Sequence, residues 1–520
     1  MRALLVALLL VACGGAPRGP RGAGETTALE GRVTYDARHP TPRGASEAIE
    51  VRPARHVDLA VLDAGGRVLA EGRTDADGRF ALDAPGEATT VRVFARVRVR
   101  GHDAAIARDA NGAETHALDA PIEGDGALAI HARDQDGEAG AFHVVDTMLR
   151  GLDAVQGWTE VTLPPVFAYW VRGGTREWSF YRGERPAGSG RFALELLGGD
   201  PGQASISDTD EHDEAIILHE LGHFVMDRLS SDSSTGGTHP RGVRVDPGLA
   251  WEEGRATWFA LAVLGAPLYQ DTIGVEPWGR LRVDAELESE EDEVAGYGSE
   301  TSVSKILWDL SDGDGVLPDA DGDGVALGPA VILRAMAAHA EEPGVFPSLV
   351  SFLRFLVSEE IVTREALAAM LTRTGEPTAE LLPEGPLPWP RPVAFGDVIE
   401  GTIDGISQPA PSGGGNIAIS GFDAIHSFLI DVTEPGMIVA RLTIDGTGSP
   451  QERSDLDLQL LDHDADPIAV SSLTGPDERL SHLVQPGVYV LRVRDAGRGN
   501  RAAYRLEVLF ETLGGRPIAR

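Results

Sequence analysis

The chain has only one cysteine, Cys13, in 520 residues. A lone cysteine cannot close an internal disulfide, which excludes the class of exported domains held together by disulfide bonds. Basic residues are also scarce, since 45 Lys and Arg face 81 Asp and Glu and Lys305 is the single lysine. The net charge of -36 at pH 7 argues against a nucleic acid partner. No apolar run reaches the ~20 residues of a membrane-spanning helix, so none is predicted.

The N-terminus has the layout of an export signal. Residues 3–12 are apolar and follow the basic residue Arg2. The run ends in Leu10-Val11-Ala12-Cys13, which resembles the lipobox of bacterial lipoproteins. This resemblance implies a signal peptide over residues 1–12 and a lipid on Cys13 that anchors the protein to the cell envelope, on the periplasmic or cell-surface side. An ordinary cleaved signal, leading to secretion, is the alternative. Residues 13–27 are rich in Gly and Pro and are predicted to form a flexible tether.

The rest of the chain is too long for one hydrophobic core, so about three domains are expected. Over residues 28–120 short alternating runs, such as 57–62 and 91–94, predict an antiparallel β-sandwich. Residues 74–82 contain an Asp-x-x-Gly turn that suits a glycine with positive φ. This segment resembles the hairpin of carboxypeptidase regulatory-like domains, which implies an accessory module without chemistry of its own.

Residues 125–385 show the longer period of helices. Helices are predicted over residues 142–155, from about 213 onwards, and over 301–310, 329–339, 348–358 and 364–371. Strands are predicted over 165–171 and 192–197. Strands followed by a long helix are typical of an α+β enzyme domain. The Pro-rich segment 383–392 is expected to mark the end of this domain.

Strand alternation returns after this segment, for example at residues 428–432, 456–460 and 488–493. The order of Ser454-Asp455-Leu456-Asp457-Leu458, Glu478-Arg479-Leu480 and Pro486-Gly487-Val488-Tyr489-Val490 resembles bacterial pre-peptidase C-terminal domains. This resemblance implies a second β-sandwich over residues 393–512, of a kind found appended to secreted peptidases.

The clearest chemistry lies in His219-Glu220-Leu221-Gly222-His223. On a helix the two histidines lie one turn apart on the same face, so both imidazoles can bind one zinc ion. Glu220 lies beside them and can take a proton from zinc-bound water as a general base. The segment resembles the motif of HExxH zinc metallopeptidases, and a pair of surface histidines on an ordinary helix is the alternative. Gly222, in mid-helix, predicts a close neighbour.

A catalytic zinc ion usually has three protein ligands and one position for water. Residues 253–256, Glu-Gly-Arg-Ala, resemble the Glu-Gly-x-Ala core in the second helix of gluzincin peptidases. This resemblance implies Glu253 as the third ligand. The chain departs from the pattern at Thr257, where many thermolysin-like members have an acidic partner for a zinc-bound histidine.

Three other residues remain alternatives for the third ligand. Glu252 is adjacent but lies about 100° further around a helix. His239 lies in a Gly-rich loop without the spacing of the metzincin third histidine. Asp246 is the last of them.

Tyr297 is the candidate donor to the oxyanion that develops during peptide hydrolysis. It lies in Gly296-Tyr297-Gly298, before a predicted helix with a Leu-Trp-Asp-Leu core at residues 307–310. This arrangement is similar to that of exported zincins. A tyrosine that only packs or forms a turn is the alternative.

Two acidic segments have weaker signals. Residues 319–324, Asp-Ala-Asp-Gly-Asp-Gly, have the opening of a calcium loop, but position twelve is Ala330 rather than a carboxylate. A partial Ca²⁺ site and a solvated acidic loop both fit. Residues 286–293 are expected to be a solvated face or a mobile loop.

The expected fold class is multidomain, with an α+β zincin-like catalytic domain over residues 125–385 between two all-β sandwiches. The expected function is an exported Zn²⁺-dependent metallopeptidase that hydrolyses a peptide or protein substrate with metal-activated water. One alternative is a zincin-derived binding or scaffold lipoprotein with weak catalysis. Another is an adhesive surface lipoprotein in which the two sandwiches carry the function. The membrane, through lipid on Cys13, is the other expected partner.

Overall fold

The computed structural model describes most of the chain. The described residues are 26–123, 127–174, 178–183, 189–200, 203, 207–231, 233–288, 294–315, 317–318, 322, 324–404, 421–445, 455–463, 465–473, 477–495 and 501–512. Cys13 and the expected signal peptide lie outside them, as does most of the expected tether. Within these ranges, no helix combines the length and the apolar character needed to cross a bilayer.

Strands dominate the first 200 residues and recur between the central helices. In chain order they are β1 (Thr26–Ala37), β2 (Pro40–Thr41), β3 (Gly44–Ala45), β4 (Glu50–Pro53), β5 (Val57–Asp63), β6 (Val68–Arg73), β7 (Arg79–Pro85), β8 (Ala88–Val99), β9 (His102–Ala107), β10 (Ala117–Pro121), β11 (Ala127–Ala132), β12 (Val166–Tyr169), β13 (Phe180–Tyr181), β14 (Phe192–Glu195), β15 (Leu268–Ile273) and β16 (Arg280–Glu286). The strands predicted at 57–62, 91–94, 165–171 and 192–197 are confirmed as β5, β8, β12 and β14.

Two sheets contain most of these strands. One has the order β11-β1-β4, with β7 also paired to β1. The other has the order β13-β14-β12-β9-β8-β5-β6, with β10 beside β8. Leu29 and Val33 of β1 belong to the same buried cluster as Val61 and Val93 of the larger sheet. The two sheets therefore share one apolar core.

The larger sheet crosses the boundary expected between the first sandwich and the central domain. β9 pairs in parallel with β12, where Ala104 lies opposite Val166. β12 in turn pairs in parallel with β14, where Val166 lies opposite Phe192. Residues before and after 120–125 are therefore parts of one sheet, and the N-terminal strands support the central helices directly.

The expected hairpin at residues 74–82 is a corner between the two sheets. β6 pairs with β5, whereas β7 pairs with β1. Gly78 has φ +73°, so the glycine predicted to need positive φ does adopt it. Asp75 Oδ1 accepts hydrogen bonds from the backbone N–H groups of Asp77 and Arg79, both at 2.8 Å. The turn is as predicted, but the hairpin pairing was wrong because the flanking strands lie in different sheets.

The central part is mainly helical. Its helices are α1 (Ala139–Thr159), α2 (Glu214–Leu229), α3 (Pro247–Leu264), α4 (Glu300–Ser311), α5 (Pro329–Ala340), α6 (Leu349–Ser358), α7 (Arg364–Arg373) and α8 (Thr378–Leu381). The predicted helices are confirmed, most to within a few residues at each end. The described residues thus form a mixed α/β protein with several β-sheets and eight helices.

Helices α2, α3 and α4 pack closely because of two glycines. A side chain at Gly222 would lie 3.0 Å from the Cα atom of Ala256, so the neighbour predicted for this mid-helix glycine is α3. A side chain at Gly254 would overlap Val303 of α4. These contacts fix the distance between the helices that carry the predicted metal ligands.

The C-terminal strands form a second pair of sheets. They are β17 (Arg391–Pro392), β18 (Val398–Asp404), β19 (Ile425–Val432), β20 (Gly436–Asp445), β21 (Leu456–Leu461), β22 (Pro467–Ser471), β23 (Asp477–Val484), β24 (Gly487–Asp495) and β25 (Arg501–Thr512). The sheet orders are β17-β19-β24-β21-β22 and β18-β25-β20-β23. Alternate residues such as Leu456, Leu458 and Leu460 are buried in a separate core, as strand geometry requires. The strands predicted at 428–432, 456–460 and 488–493 are confirmed.

These sheets lie against loops near the predicted metal site. Arg492 donates a 2.9 Å hydrogen bond to the backbone carbonyl of Ser233, in the segment after α2. Val245 forms a β-bridge with Gly421. The C-terminal sandwich therefore supports residues 230–248, the segment between the two helices that carry the predicted ligands.

Candidate metal centre

Helix α2 brings the two histidines of the HExxH segment onto one face. His219 and Glu220 are each 7% exposed, and His223 is partly exposed. The rest of the helix is embedded in apolar side chains, among them Ile217, Leu218 and Leu221, all buried. The burial of these apolar side chains holds the helix in place, and His219, Glu220 and His223 form its polar face.

Helix α3 brings Glu253 to the same point. His219 Nε2 lies 3.1 Å from His223 Nε2 and 3.2 Å from Glu253 Oε2, and His223 Nε2 lies 3.3 Å from the same oxygen. Ligands placed 2.0–2.1 Å from a tetrahedral zinc ion are separated by about 3.3 Å. The three atoms therefore lie at the spacing of one face of a zinc tetrahedron, and two nitrogens with one oxygen form a donor set that suits zinc.

Thr257 lies one helical turn after Glu253, behind His219. Its Oγ1 is 3.1 Å from Nδ1 of His219. Thr257, noted in the sequence as a departure from the gluzincin pattern, thus places a hydroxyl behind this histidine. Because Nδ1 is engaged by this hydroxyl, Nε2 of His219 is directed to the cluster.

Glu220 is a buried carboxyl group beside the cluster. Its Oε2 accepts no hydrogen bond from the described residues. Burial raises the pKa of Glu220, and the nearby charges of His219 and His223 offset part of this effect. A carboxyl group with a raised pKa accepts and returns a proton more readily than an ordinary one.

Two of the alternative third ligands are engaged elsewhere. Glu252 pairs with the fully buried guanidinium of Arg255. Asp246 is the N-cap of α3, where its Oδ1 accepts hydrogen bonds from the backbone N–H groups of Gly248 and Leu249 at 3.0 and 3.4 Å. Neither belongs to the metal-compatible group of His219, His223 and Glu253.

The third alternative, His239, lies at the edge of the cluster. Its Nε2 is 3.4 Å from Glu253 Oε1, and its Nδ1 is 2.9 Å from Oε2 of Glu300, the first residue of α4. Burial lowers the pKa of His239, but the charges of Glu253 and Glu300 outweigh it and raise the pKa to about 10. Sequence reasoning considered His239 only as a ligand and missed Glu300, because no local pattern joins a loop histidine to a helix start 61 residues later.

A second residue missed from the sequence is Tyr269, on β15. Its ring lies edge-on to His219, with centroids 5.9 Å apart. Burial raises the pKa of Tyr269 well above its usual value, and the charges of Asp271 and Glu220 add to this effect. The phenol therefore stays protonated and can donate a hydrogen bond near the cluster.

Tyr297 lies just before α4, beside aromatic and basic side chains. Its ring packs against Phe422 at 5.5 Å, and the Arg244 guanidinium lies 5.5 Å from its centroid. Burial raises its pKa to about 12, and the nearest charges that act on its hydroxyl come from Glu380 and Arg244. These contacts agree with the alternative of a packed tyrosine, and a catalytic role stays an untested prediction.

The two acidic segments are only partly described. Asp319, Asp321 and Asp323 of the predicted calcium loop lie outside the described residues. The acidic segment 286–293 is described only as far as Glu288, which accepts a 2.8 Å hydrogen bond from the indole N–H of Trp308.

Residues 188–328 match the family model of the Mycolysin C-terminal domain. This range contains α2, α3 and α4, and therefore the whole cluster. The domain is found in secreted metallopeptidases, which places this part of the chain in a peptidase context. A search of curated proteins returned no match.

Among solved structures, the chain is similar to the pre-peptidase C-terminal domain of a collagenase from Bacillus anthracis. The identity is 16%, over 23% of this chain and 92% of that chain, with a TM-score of 0.17. It is also similar to a cycloisomaltooligosaccharide glucanotransferase from Paenibacillus sp., at 9% identity over 94% of this chain and 72% of that chain, with a TM-score of 0.13. Scores this low do not indicate a shared overall fold.

Proposed function

We propose that the protein is an exported zinc-dependent peptidase whose metal ligands are His219, His223 and Glu253. The observation that carries the proposal is the set of distances from 3.1 to 3.3 Å between the three donor atoms. When the imidazoles are neutral, the lone pairs of these three atoms repel one another, and a shared zinc ion would relieve that repulsion. The match of residues 188–328 to a domain of secreted metallopeptidases supports the choice of peptide bonds as the substrate.

A zinc ion held by these residues would polarise a water molecule and lower its pKa. Glu220 acts as the general base. Its Oε2, which has no hydrogen-bond partner among the described residues, accepts a proton from the attacking water, and the raised pKa of the group lets it pass that proton to the leaving amine. Thr257 keeps the ring of His219 in the orientation that points Nε2 at the cluster.

His239 is the donor to the developing oxyanion in this proposal. Glu300 holds Nδ1 of its ring, so Nε2 faces the cluster, and the side chain is about one-third exposed. The carboxylate of Glu300, 2.9 Å from Nδ1, favours the protonated ring, in which both nitrogens are donors. Tyr269 provides a second protonated group beside His219. Tyr297, which packs on Phe422, stays the alternative donor.

The experiment compares the wild-type protein with Glu220→Gln on a library of peptides and on casein. The Gln side chain preserves shape but cannot accept a proton, so cleavage should fall by about 10²- to 10⁴-fold while bound zinc is retained. Glu341→Gln, at an exposed helix end, is the matched control and should cleave like the wild type. Equal cleavage by wild type and Glu220→Gln would exclude Glu220 as the base. Zinc binding without any cleavage by wild type would favour the scaffold function.

The lipid anchor on Cys13 is a separate part of the proposal. It is supported by the apolar run and the lipobox-like residues before Cys13. Incorporation of labelled palmitate into wild type but not into Cys13→Ser would support lipidation. Equal labelling of both, or no labelling of either, would contradict it and leave an ordinary export signal.

A further inference from the structure

A second group of carboxylates lies beside the start of α2. One oxygen from each of Asp208, Asp210 and Asp271 lies within 4.8 Å of the others. Asp208 and Asp210 belong to the turn that leads into α2, and Asp271 belongs to β15. The group joins two segments that are about 60 residues apart in the sequence.

The neighbouring residues only partly neutralise this charge. Arg282 Nη1 donates a 2.7 Å hydrogen bond to Asp208 Oδ2, and Arg282 Nε lies 3.6 Å from Asp271 Oδ2. Ser179 donates a hydrogen bond to Asp210. Asp213, which is fully buried, adds another carboxyl group nearby. Among the described residues, these carboxylates have one arginine as their ion-pair partner.

Asp271 has a polar atom without a partner. The residue is 6% exposed, and its buried Oδ1 accepts no hydrogen bond from any described residue. Burial and the negative charge of Asp208 together raise the pKa of Asp271 to about 7. The same two causes raise the pKa of Asp210 well above its usual value. Carboxylates in this position must either hold protons or share a cation.

We propose that Asp208, Asp210 and Asp271 bind a calcium ion. Three carboxylates form the hard, all-oxygen donor set that Ca²⁺ prefers, whereas zinc sites usually contain nitrogen or sulfur. Mg²⁺ usually keeps several water ligands and takes only one or two carboxylates, whereas Ca²⁺ accepts six to eight oxygens in a flexible arrangement, so three protein carboxylates suit Ca²⁺ better. The site is distinct from the predicted loop at residues 319–324.

Calcium at this position would join β15 to the turn that starts α2. β15 carries Tyr269, whose ring contacts His219, two residues before Asp271. Thr272, the next residue, donates hydrogen bonds from its backbone N–H and hydroxyl to Asp213, the residue before α2. The ion would therefore stabilise the helix that carries the HExxH segment, whether or not that segment is catalytic.

The test uses the full protein, freed of divalent metals and then given one equivalent of Zn²⁺. Calcium is titrated by calorimetry into wild type, Asp271→Asn, Asp210→Asn and the control Asp284→Asn, an exposed carboxylate on β16. Each cluster variant should weaken calcium binding at least about tenfold, as loss of a ligand does, and the control should bind like wild type. The Asn variants remove repulsion, so they should fold in calcium-free buffer.

Terbium luminescence gives a second measurement that leaves the cluster intact. The Arg282 guanidinium lies 4.7 Å from the ring centroid of Trp178, so terbium bound here should be sensitised by this half-exposed indole. Calcium should displace the signal, and Trp178→Phe should lose most of it. The proposal is overturned if wild type binds no calcium, if both Asn variants bind it with unchanged affinity, or if Trp178→Phe keeps the full signal. The last two results would point to the loop at residues 319–324.

Discussion

Thr257 Oγ1 lies 3.1 Å from His219 Nδ1, whereas Nε2 of the same ring faces His223 and Glu253. A group in this position fixes the tautomer and the orientation of a ligating histidine. The hydroxyl is neutral, whereas a carboxylate at this position would carry a negative charge. The contact therefore orients His219 without adding a negative charge behind it.

Replacing Thr257 with Val should lower zinc affinity by about 10- to 100-fold, because the isosteric side chain cannot engage Nδ1 of His219. Thr257→Ser keeps the hydroxyl and is the matched control. The measurement is zinc competition against a chromophoric chelator. Unchanged affinity in Thr257→Val would show that the hydrogen bond does not orient the ligand.

Glu252 and Glu253 are adjacent, but substituting glutamine for each should have a different effect. Glu253→Gln should lose zinc and stay folded, because its carboxylate faces the two ligand histidines. Glu252→Gln should keep the zinc site but lose about 3–5 kcal/mol of unfolding free energy, because it leaves the buried guanidinium of Arg255 without its ion partner. Zinc content and urea unfolding separate the two effects. The reverse pattern would make Glu252 the ligand.

His239→Gln should lower kcat by about 10²- to 10³-fold on any substrate that wild type cleaves, with zinc retained, because it removes a charged donor to the oxyanion. Glu300→Gln should lower kcat less, since the ring of His239 stays in place. Tyr297→Phe should leave kcat unchanged, because that ring packs against Phe422. A large loss in Tyr297→Phe with none in His239→Gln would return the role to Tyr297.

Asp271 should make stability depend on pH when calcium is absent. Burial, with Asp208, raises its pKa from an ordinary value near 4 to about 7 in the folded protein. A raised folded pKa contributes stability that is fully present below about pH 4 and is lost as pH rises through 7. Urea unfolding between pH 4 and 8 in calcium-free buffer should show this loss in wild type and a weaker one in Asp271→Asn. Equal pH dependence in both proteins would contradict the assignment.

The HExxH helix could be predicted from sequence because its signal is local. His219 and His223 are four residues apart, and helical geometry alone places them on one face. Gly222 even indicated a close neighbour, which is Ala256. Glu253 could not be predicted from a local pattern in the same way. Its choice over Glu252 rested on a family resemblance, and its position beside the histidines depends on how α2 packs against α3.

The parts that were missed depend on tertiary contacts between distant segments. His239 meets Glu300 across 61 residues, through a loop whose path no local pattern specifies. The cluster of Asp208 and Asp271 depends on β15, a strand that alternation did not reveal because it is short and partly exposed. The expected hairpin at residues 74–82 failed for a related reason: its turn chemistry is local, but the sheet that each strand joins is not.

The most direct test of the zinc centre is X-ray absorption at the zinc edge on the purified full protein carrying one zinc ion per chain. A zinc ion bound to His219, His223 and Glu253 should have a first shell of nitrogen and oxygen atoms at about 2.0–2.1 Å, with the multiple-scattering pattern of two imidazoles. In His223→Ala the zinc should be lost or, where it is retained, show the pattern of one imidazole. A shell of oxygen atoms alone, or two imidazoles persisting in His223→Ala, would contradict a zinc site built from His219, His223 and Glu253.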